Sequence, residues 1–73
     1  MARTFSGVRF RTARHAAGLT ADDVAARIGR TRWSVWCYER GTALPSIPIA
    51  DALADAVGRP LNDFLADDSK VAA

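Results

Sequence analysis

Apolar residues recur along the chain at spacings of three and four, and glycine or proline interrupts them at short intervals. Such spacings place side chains on one face of a helix, whereas a half-buried strand would alternate. The interruptions leave segments about one short helix long, and no segment alternates as a strand does. The pattern therefore predicts an all-α domain of five helices.

Capping residues set the bounds of the first three predicted helices, which span residues 7–17, 21–28 and 32–40. The side chains that would cap their N-termini belong to Ser6, Thr20 and Thr31. The glycines that would end them are Gly18, Gly29 and Gly41. Phe5 precedes the first cap and can pack against Phe10 as a hydrophobic staple.

Two further helices are predicted in the second half of the chain. The fourth begins near Ser46, carries Pro48 in its first turn and ends at Gly58. A short fifth helix is predicted over residues 61–66. The predicted organisation is an N-terminal arm over 1–6, a folded domain over 7–66 and a frayed tail over 67–73.

Length and composition describe one small globular domain. A chain of 73 residues leaves no room for a second domain at about 100–200 residues each. Hydrophobic residues make up 49% of it and charged residues 25%, so disorder is not expected. No apolar run approaches the roughly 18 residues of a membrane span, and the first residues lack the apolar core of a signal peptide. We therefore expect a cytoplasmic protein.

The sequence lacks the residues that enzyme chemistry usually needs. Its single cysteine, Cys37, and single histidine, His15, exclude an intramolecular disulfide and a Cys/His zinc site. No nucleophile is paired with a base, and a chain this short buries too little surface for an elaborate cleft. We therefore expect a binding protein without a metal, a cofactor or a small-molecule substrate, and not an enzyme.

Charge is unevenly distributed along the chain, although the net charge is only +2. Residues 1–40 hold eight arginines against three acidic residues, a balance of +5, and residues 41–73 hold two basic residues against five aspartates, a balance of −3. A basic half is typical of polyanion binding, and arginine pairs with phosphates and guanine edges through a rigid fork. The alternative is an ordinary solvated surface.

The second and third predicted helices form a compact unit, because only residues 29–31 join them. Two short helices connected by a tight glycine turn are typical of a helix-turn-helix, whose second helix enters the DNA major groove. Ala25 is small where the helices must approach, Gly29 opens the turn and Val35 packs back. The residues that then face outward on the third helix are Arg32, Trp33, Trp36 and Cys37, with Ser34 at the side.

This unit lies in a longer motif, whose residues are Gly18-Leu19-Thr20, Val24-Ala25, Ile28-Gly29, Thr31, Ser34-Val35, Tyr38-Glu39-Arg40-Gly41 and Pro45. The motif continues through Leu53-Ala54, Val57-Gly58, Leu61 and Phe64-Leu65. It resembles the phage-repressor or Cro-type (XRE-like) helix-turn-helix family over about residues 7–66. The resemblance implies a five-helix domain that binds double-stranded DNA as a dimer on a near-palindromic operator, most simply as a repressor.

The resemblance also implies roles at matching positions. Arg14 and Glu39 match the family's ion pair between the first and third helices. Base reading is expected from the outward face of the third helix, at Arg32, Trp33, Trp36 and Cys37. Arg32 can pair with guanine or touch a phosphate, and Cys37 can touch a base or simply pack.

The two tryptophans depart from the family pattern, in which polar residues are common at these positions. An exposed tryptophan here has three interpretations: contact with a thymine methyl or sugar, packing over the core edge beside Val35, or anchoring of a protein partner. The last interpretation leads to an alternative function. In it, a small phage or antitoxin-type module engages a protein through Trp33 and Trp36.

Phosphate contacts, which position a domain without reading sequence, are expected from Thr20, Ala21, Arg30, Thr31, Ser34, Arg40, Thr42 and Arg11, with Arg9 beside them. Thr20 and Ala21 would act through free N–H groups at a helix start. Arg30 either touches a phosphate or is solvated. The resemblance implies a dimer contact through the fifth helix and nearby residues. The candidates are Ile47, Leu61, Phe64 and Leu65, which are more apolar than a monomer of this size needs. The two reading helices of such a dimer would lie about 34 Å apart.

Overall fold

The computed structural model describes residues 3–67. In chain order the elements are β1 (Arg3–Phe5), α1 (Gly7–Ala16), α2 (Ala21–Ile28), α3 (Arg32–Arg40), α4 (Ile47–Ala56), a 3-10 turn (Leu61–Phe64) and β2 (Leu65–Asp67). The described chain is mostly helical, as predicted. The expectation of five helices and no strands is wrong, because the described residues form four α-helices, one 3-10 turn and a two-stranded sheet.

Side-chain caps explain why the first three helices begin where they do. The hydroxyl of Ser6 accepts the amide of Arg9, and that of Thr31 accepts the amide of Ser34. At the start of α2, Thr20 and Asp23 cap each other reciprocally at 2.9 and 3.0 Å. Hydrogen bonding to the Asp23 carboxyl by the Thr20 backbone amide, and secondly by the Thr20 side chain, holds the pKa of that carboxyl below its usual value.

The fourth helix lacks a side-chain hydrogen bond at its N-terminus and is capped at its C-terminal end by a residue of another helix. Ser46 occupies the N-cap position, but its side chain makes no capping hydrogen bond. At the other end, Arg27 Nη1 of α2 donates to the Ala56 carbonyl at 2.8 Å. A last-turn carbonyl of α4 is thus satisfied from a neighbouring helix, which fastens α4 to α2.

The end of the described chain differs from the predicted fifth helix over 61–66. Only 61–64 turn as a 3-10 helix, and the backbone extends at Leu65, where φ is −96° and ψ is 124°. The extended residues pair antiparallel with β1, with Phe5 opposite Leu65. One helical turn gains too few hydrogen bonds to stand alone, whereas pairing with β1 satisfies the backbone on both segments.

This pairing also corrects the predicted domain boundaries. Residues 3–5, assigned above to an arm, form β1 and belong to the fold. Asp67, assigned to the tail, closes β2 opposite Arg3, and residues 68–73 lie outside the described residues.

Three phenylalanine rings form the centre of the core beneath the sheet. Phe5, Phe10 and Phe64 have ring centroids 5.6 to 6.1 Å apart, and the predicted staple of Phe5 on Phe10 is one of these contacts. The predicted dimer contact of Phe64 is wrong, because its side chain is 1% exposed and lies in the core of its own chain. Val24, Val35 and Leu53 complete the fully buried set from α2, α3 and α4.

The start of α1 lies against the end of α3. A Cβ placed on Gly7 would overlap the backbone carbonyl oxygens of Tyr38 and Glu39. Only glycine permits this approach. The contact brings α1 next to α3 and so helps to fix the orientation of the helix that carries the candidate site.

Candidate nucleic-acid interface

A left-handed turn sets the direction in which α3 leaves α2. Gly29 ends α2 with φ 70°, and the Arg30 amide donates to the Ala25 carbonyl at 3.0 Å. Ala25 and Val35 are buried on the facing sides of the two helices. The opposite side of α3 is therefore left toward solvent.

Two tryptophans dominate this outward side of α3. Trp33 is 63% exposed and Trp36 40%, and their rings meet edge to face with centroids 6.4 Å apart. Neither ring belongs to the core or to the half-buried side chains packed on it. Their exposure favours the other two interpretations, which are contact with DNA and contact with a protein.

Arg32 lies beside these rings at the first position of α3. Its guanidinium carbon is 5.7 Å from the centre of the Trp36 ring, within the range of a cation–π contact. Its Nη1 donates to Asp22 Oδ2 of α2 at 3.3 Å. The sequence does not predict this contact, because side chains ten residues apart have no common signal in helical periodicity.

Two shallow clefts flank Trp36 and share Arg14 as a lining residue. One has a volume of about 360 Å³ and reaches across Arg32 and His15 to Thr20 at the start of α2. The other, of about 250 Å³, is lined by Arg11 of α1 and Arg40 of α3. Trp36 thus borders two clefts, one lined by Arg32 and the other by Arg11 and Arg40.

An ion pair beneath these clefts connects α1 to α3. Arg14 Nε donates to Glu39 Oε2 at 2.6 Å and its Nη2 to Oε1 at 3.1 Å. The side chains are only 11% and 4% exposed. Arg14 also donates to the Leu19 carbonyl at 3.0 Å and lies 3.2 Å from His15 Nε2. The pair holds together the elements that carry the outward surface.

The residues expected to touch phosphates fall into two groups. Within residues 3–67, the exposed side chains of Arg11, Arg30 and Arg40 make no ion pair. Arg9 differs, because its Nη1 donates to the Leu65 carbonyl at 3.3 Å and ties α1 to β2. The arginines of the first group retain their guanidinium donors for a ligand.

The hydroxyl-bearing residues expected to touch phosphates are largely engaged in local hydrogen bonds. The expectation of a free N–H at Thr20 is wrong, because its amide donates to Asp23 Oδ2, which leaves Ala21 as the first uncapped amide of α2. The Thr31 hydroxyl caps Ser34, and the Thr42 hydroxyl donates to the Cys37 carbonyl at 3.3 Å. The side chain of Cys37 is half-buried.

The predicted dimer residues divide by exposure. Ile47 is 70% exposed, whereas Leu61 and Leu65 are half-buried. Leu44, which the sequence reasoning missed, is 68% exposed and lines a small apolar groove of about 140 Å³ with Ile47 and Leu65. Proximity in the loop before α4 is the only sequence signal that could have added Leu44.

Comparison with known proteins identifies the arrangement of α2 and α3. Residues 7–65 match the helix-turn-helix domain family. The chain belongs to that family. An uncharacterized HTH-type transcriptional regulator of Methanothermobacter thermautotrophicus is 40% identical over 42 residues, which are 58% of this chain and 61% of that protein. The chain therefore spans about three fifths of the length of this curated relative.

Solved helix-turn-helix structures resemble this one. The restriction-modification controller protein C.AhdI from Aeromonas hydrophila has a TM-score of 0.74 and 32% identity, over 78% of this chain and 86% of that chain. The clp gene regulator ClgR from C. glutamicum has a TM-score of 0.74 at 23% identity, over 78% and 74% of the chains. The hypothetical transcription factor NHTF from Neisseria has 0.76 at 20%, over 90% and 76%. The last two likenesses concern the fold alone.

Membership of the helix-turn-helix domain family agrees with the prediction that the chain is not an enzyme. In the described part of the chain, His, Cys, Asp and Glu side chains form no group that could hold a metal ion. The helices there are also too short and too polar to cross a membrane.

Proposed function

We propose that this helix-turn-helix domain binds double-stranded DNA sequence-specifically and regulates transcription, with α3 in the major groove. The observation that carries the proposal is the outward face of α3, where Arg32 lies with two exposed tryptophans and Trp36 borders a cleft lined by Arg11 and Arg40. A helix with an exposed reading side and guanidinium groups beside it suits a groove bordered by phosphates. The domain would act in the cytoplasm, on the nucleoid.

Base reading is assigned to the outward face of α3. Arg32 offers a donor fork that can bond guanine O6 and N7 together. Trp33 and Trp36 offer apolar rings that can contact the C5-methyl group of thymine, and Cys37 offers a smaller apolar contact one turn after Trp33. We expect a site that contains guanine next to thymine.

Phosphate contacts are assigned to both borders of the face. Arg11 and Arg40 line the cleft on one side of Trp36, and the uncapped amide of Ala21 lies on the other. The full proposed set also includes the guanidinium of Arg30 and the hydroxyls of Thr20, Thr31, Ser34 and Thr42, which would exchange their local hydrogen bonds for a phosphate. Each ionic contact releases counterions, so binding weakens steeply as salt rises.

The test is selection of DNA from a random pool, followed by affinity measurements with wild type and Arg32→Ala. We expect a defined motif, and we expect Arg32→Ala to lose about 1–3 kcal/mol of discrimination at one guanine position. Arg59→Ala is the matched control, since Arg59 pairs with Asp63 away from α3. Absence of any motif and of any salt dependence refutes the proposal.

Dimerisation and repression complete the proposal. One reading helix gives little contact for a specific site, so two copies would bind half-sites about 34 Å apart on a near-palindromic operator. Ile47, Leu61 and Leu65 remain the candidate contacts, together with Leu44. A bare domain of this kind represses most simply by covering a promoter, in the manner of a small Cro-like repressor.

Light scattering tests the oligomeric state. Wild type with operator should have the mass of two chains per site, and Ile47→Asp should shift it to one chain. A monomer both free and on DNA refutes the dimer while leaving DNA binding intact.

The exposed tryptophan pair supports a second candidate function. Trp33 and Trp36 together form an apolar surface that suits a protein partner, as in a small phage or antitoxin-type binding module. Salt separates the two candidates, because an apolar protein interface does not weaken steeply with salt as phosphate contacts do.

A further inference from the structure

Asp22 contributes a carboxylate to a face that otherwise presents cations and rings. Its Oδ2 accepts a hydrogen bond from Arg32 Nη1 at 3.3 Å, between the first turns of α2 and α3. The side chains of Arg32 and Asp22 are 59% and 68% exposed. An ion pair that exposed adds little to folding stability. Its position at the reading end of α3 indicates a role in recognition instead.

Trp36 restrains the same guanidinium from a second direction. The Arg32 guanidinium carbon lies 5.7 Å from the centre of the Trp36 ring, and that ring is itself packed edge to face against Trp33. The guanidinium therefore has a carboxylate at one of its nitrogens and lies over an aromatic ring. A flexible side chain held at two points samples fewer orientations than a free one.

We propose that Asp22 is a positioning residue for base recognition, which holds the Arg32 fork in the orientation that reads guanine. This inference rests on the proposed function. A guanidinium has five N–H donors, and Asp22 engages one of them, so the others remain for guanine O6 and N7. A side chain oriented beforehand loses less rotamer freedom on binding, an effect of about threefold to tenfold in affinity.

The carboxylate of Asp22 also lowers the affinity for DNA of any sequence. A negative charge at this face repels phosphates, so its removal strengthens binding to every sequence. Overall affinity therefore cannot report on positioning. The dependence of affinity on one guanine can, because repulsion from phosphates is the same whether or not that guanine is altered.

The experiment uses the full chain and its selected DNA site. Each guanine is replaced in turn by 7-deazaguanine, which lacks the N7 acceptor, and the loss of affinity is measured for wild type, Arg32→Ala and Asp22→Asn. The guanine read by Arg32 is the one whose replacement weakens wild type but not Arg32→Ala. At that guanine we expect the loss to shrink about threefold to tenfold in Asp22→Asn.

Asp51→Asn is the matched control, because it removes the same charge from an exposed position on α4. It should leave the 7-deazaguanine loss as in wild type. An unchanged or larger loss in Asp22→Asn overturns the positioning role while leaving base reading by Arg32 in place. If no guanine depends on Arg32, the assignment of Arg32 to base reading fails first, and the positioning role fails with it.

Discussion

Breaking the ion pair between Arg14 and Glu39 should be among the most destabilising single changes in the domain. Glu39→Gln keeps the shape of the side chain but removes its charge. Arg14 would then remain as a cation that is 11% exposed, still bonded to the Leu19 carbonyl but without its counterion. We expect Arg14→Met, which strands the Glu39 carboxylate, to be as harmful as Glu39→Gln.

The burial and the two hydrogen bonds of the pair set the magnitude. Removal of one partner of a buried ion pair costs about 3–5 kcal/mol. At about 0.05–0.15 kcal/mol per residue, a domain of 73 residues has a total unfolding free energy of roughly 4–11 kcal/mol. The single variants should therefore lose roughly 12–40 °C in Tm, at about 4–8 °C per kcal/mol.

The double variant Arg14→Met/Glu39→Leu makes the test sharper. It strands no charge, so it should be more stable than either single variant. It should stay about 1 kcal/mol below wild type, because the Leu19 carbonyl loses its donor. Chemical denaturation followed by circular dichroism measures all three variants. Asp63→Ala is the control, since it breaks the exposed pair with Arg59 and should cost less than about 1 kcal/mol.

The reasoning is refuted if Glu39→Gln costs less than about 1 kcal/mol, as an exposed pair would. It is also refuted if the double variant is less stable than both single variants. The first result would mean that the pair is solvated in solution, and the second that the charges themselves are net stabilising.

Three further predictions concern packing and capping. Gly7→Ala should cost about 1–3 kcal/mol in urea denaturation, because its Cβ overlaps two carbonyls of α3, whereas the exposed Val8→Ala should change stability by less than about 0.5 kcal/mol. Phe64→Ala should lower the free energy of unfolding by about 3–5 kcal/mol and leave the oligomeric state unchanged. A changed oligomeric state with unchanged stability would mean that Phe64 lies in an interface instead. The hydrogen bonds that lower the pKa of Asp23 stabilise the fold above the ordinary carboxyl pKa of about 4. As the pH falls below that value, wild type should lose more stability than Asp23→Ala does. Melting temperatures of the two proteins that fall in parallel with pH would contradict this.

The helices could be predicted wherever capping chemistry and apolar spacing agree. The bounds of α2 and α3 follow from Thr20, Thr31 and the two closing glycines, which act on their own neighbours in sequence. The segment 61–66 was mispredicted because its apolar spacing fits a helix. The backbone of residues 65 and 66 instead pairs with residues 4 and 5, and local patterns carry no information about such a distant partner.

The candidate site, too, could be predicted from the sequence only in part. The outward face of α3 could be predicted from the helical position of Val35, because burial on one side fixes exposure on the other. The contact of Arg32 with Asp22 could not, since it depends on the angle between α2 and α3. The burial of Phe64 could not either, because its ring is covered by Phe5 from β1, which has no helical spacing to it.

The pairing of β1 with β2 makes synthesis of the closing strand a condition for completing the domain. Phe5 is synthesised some sixty residues before its partners Phe64 and Leu65. Until then the third ring of the core is missing, and the backbone of β1 has no strand to pair with. A nascent chain that already contains the whole of α2 and α3 therefore still lacks part of its core. The core that supports the helix-turn-helix can therefore be completed only after β2 has been synthesised.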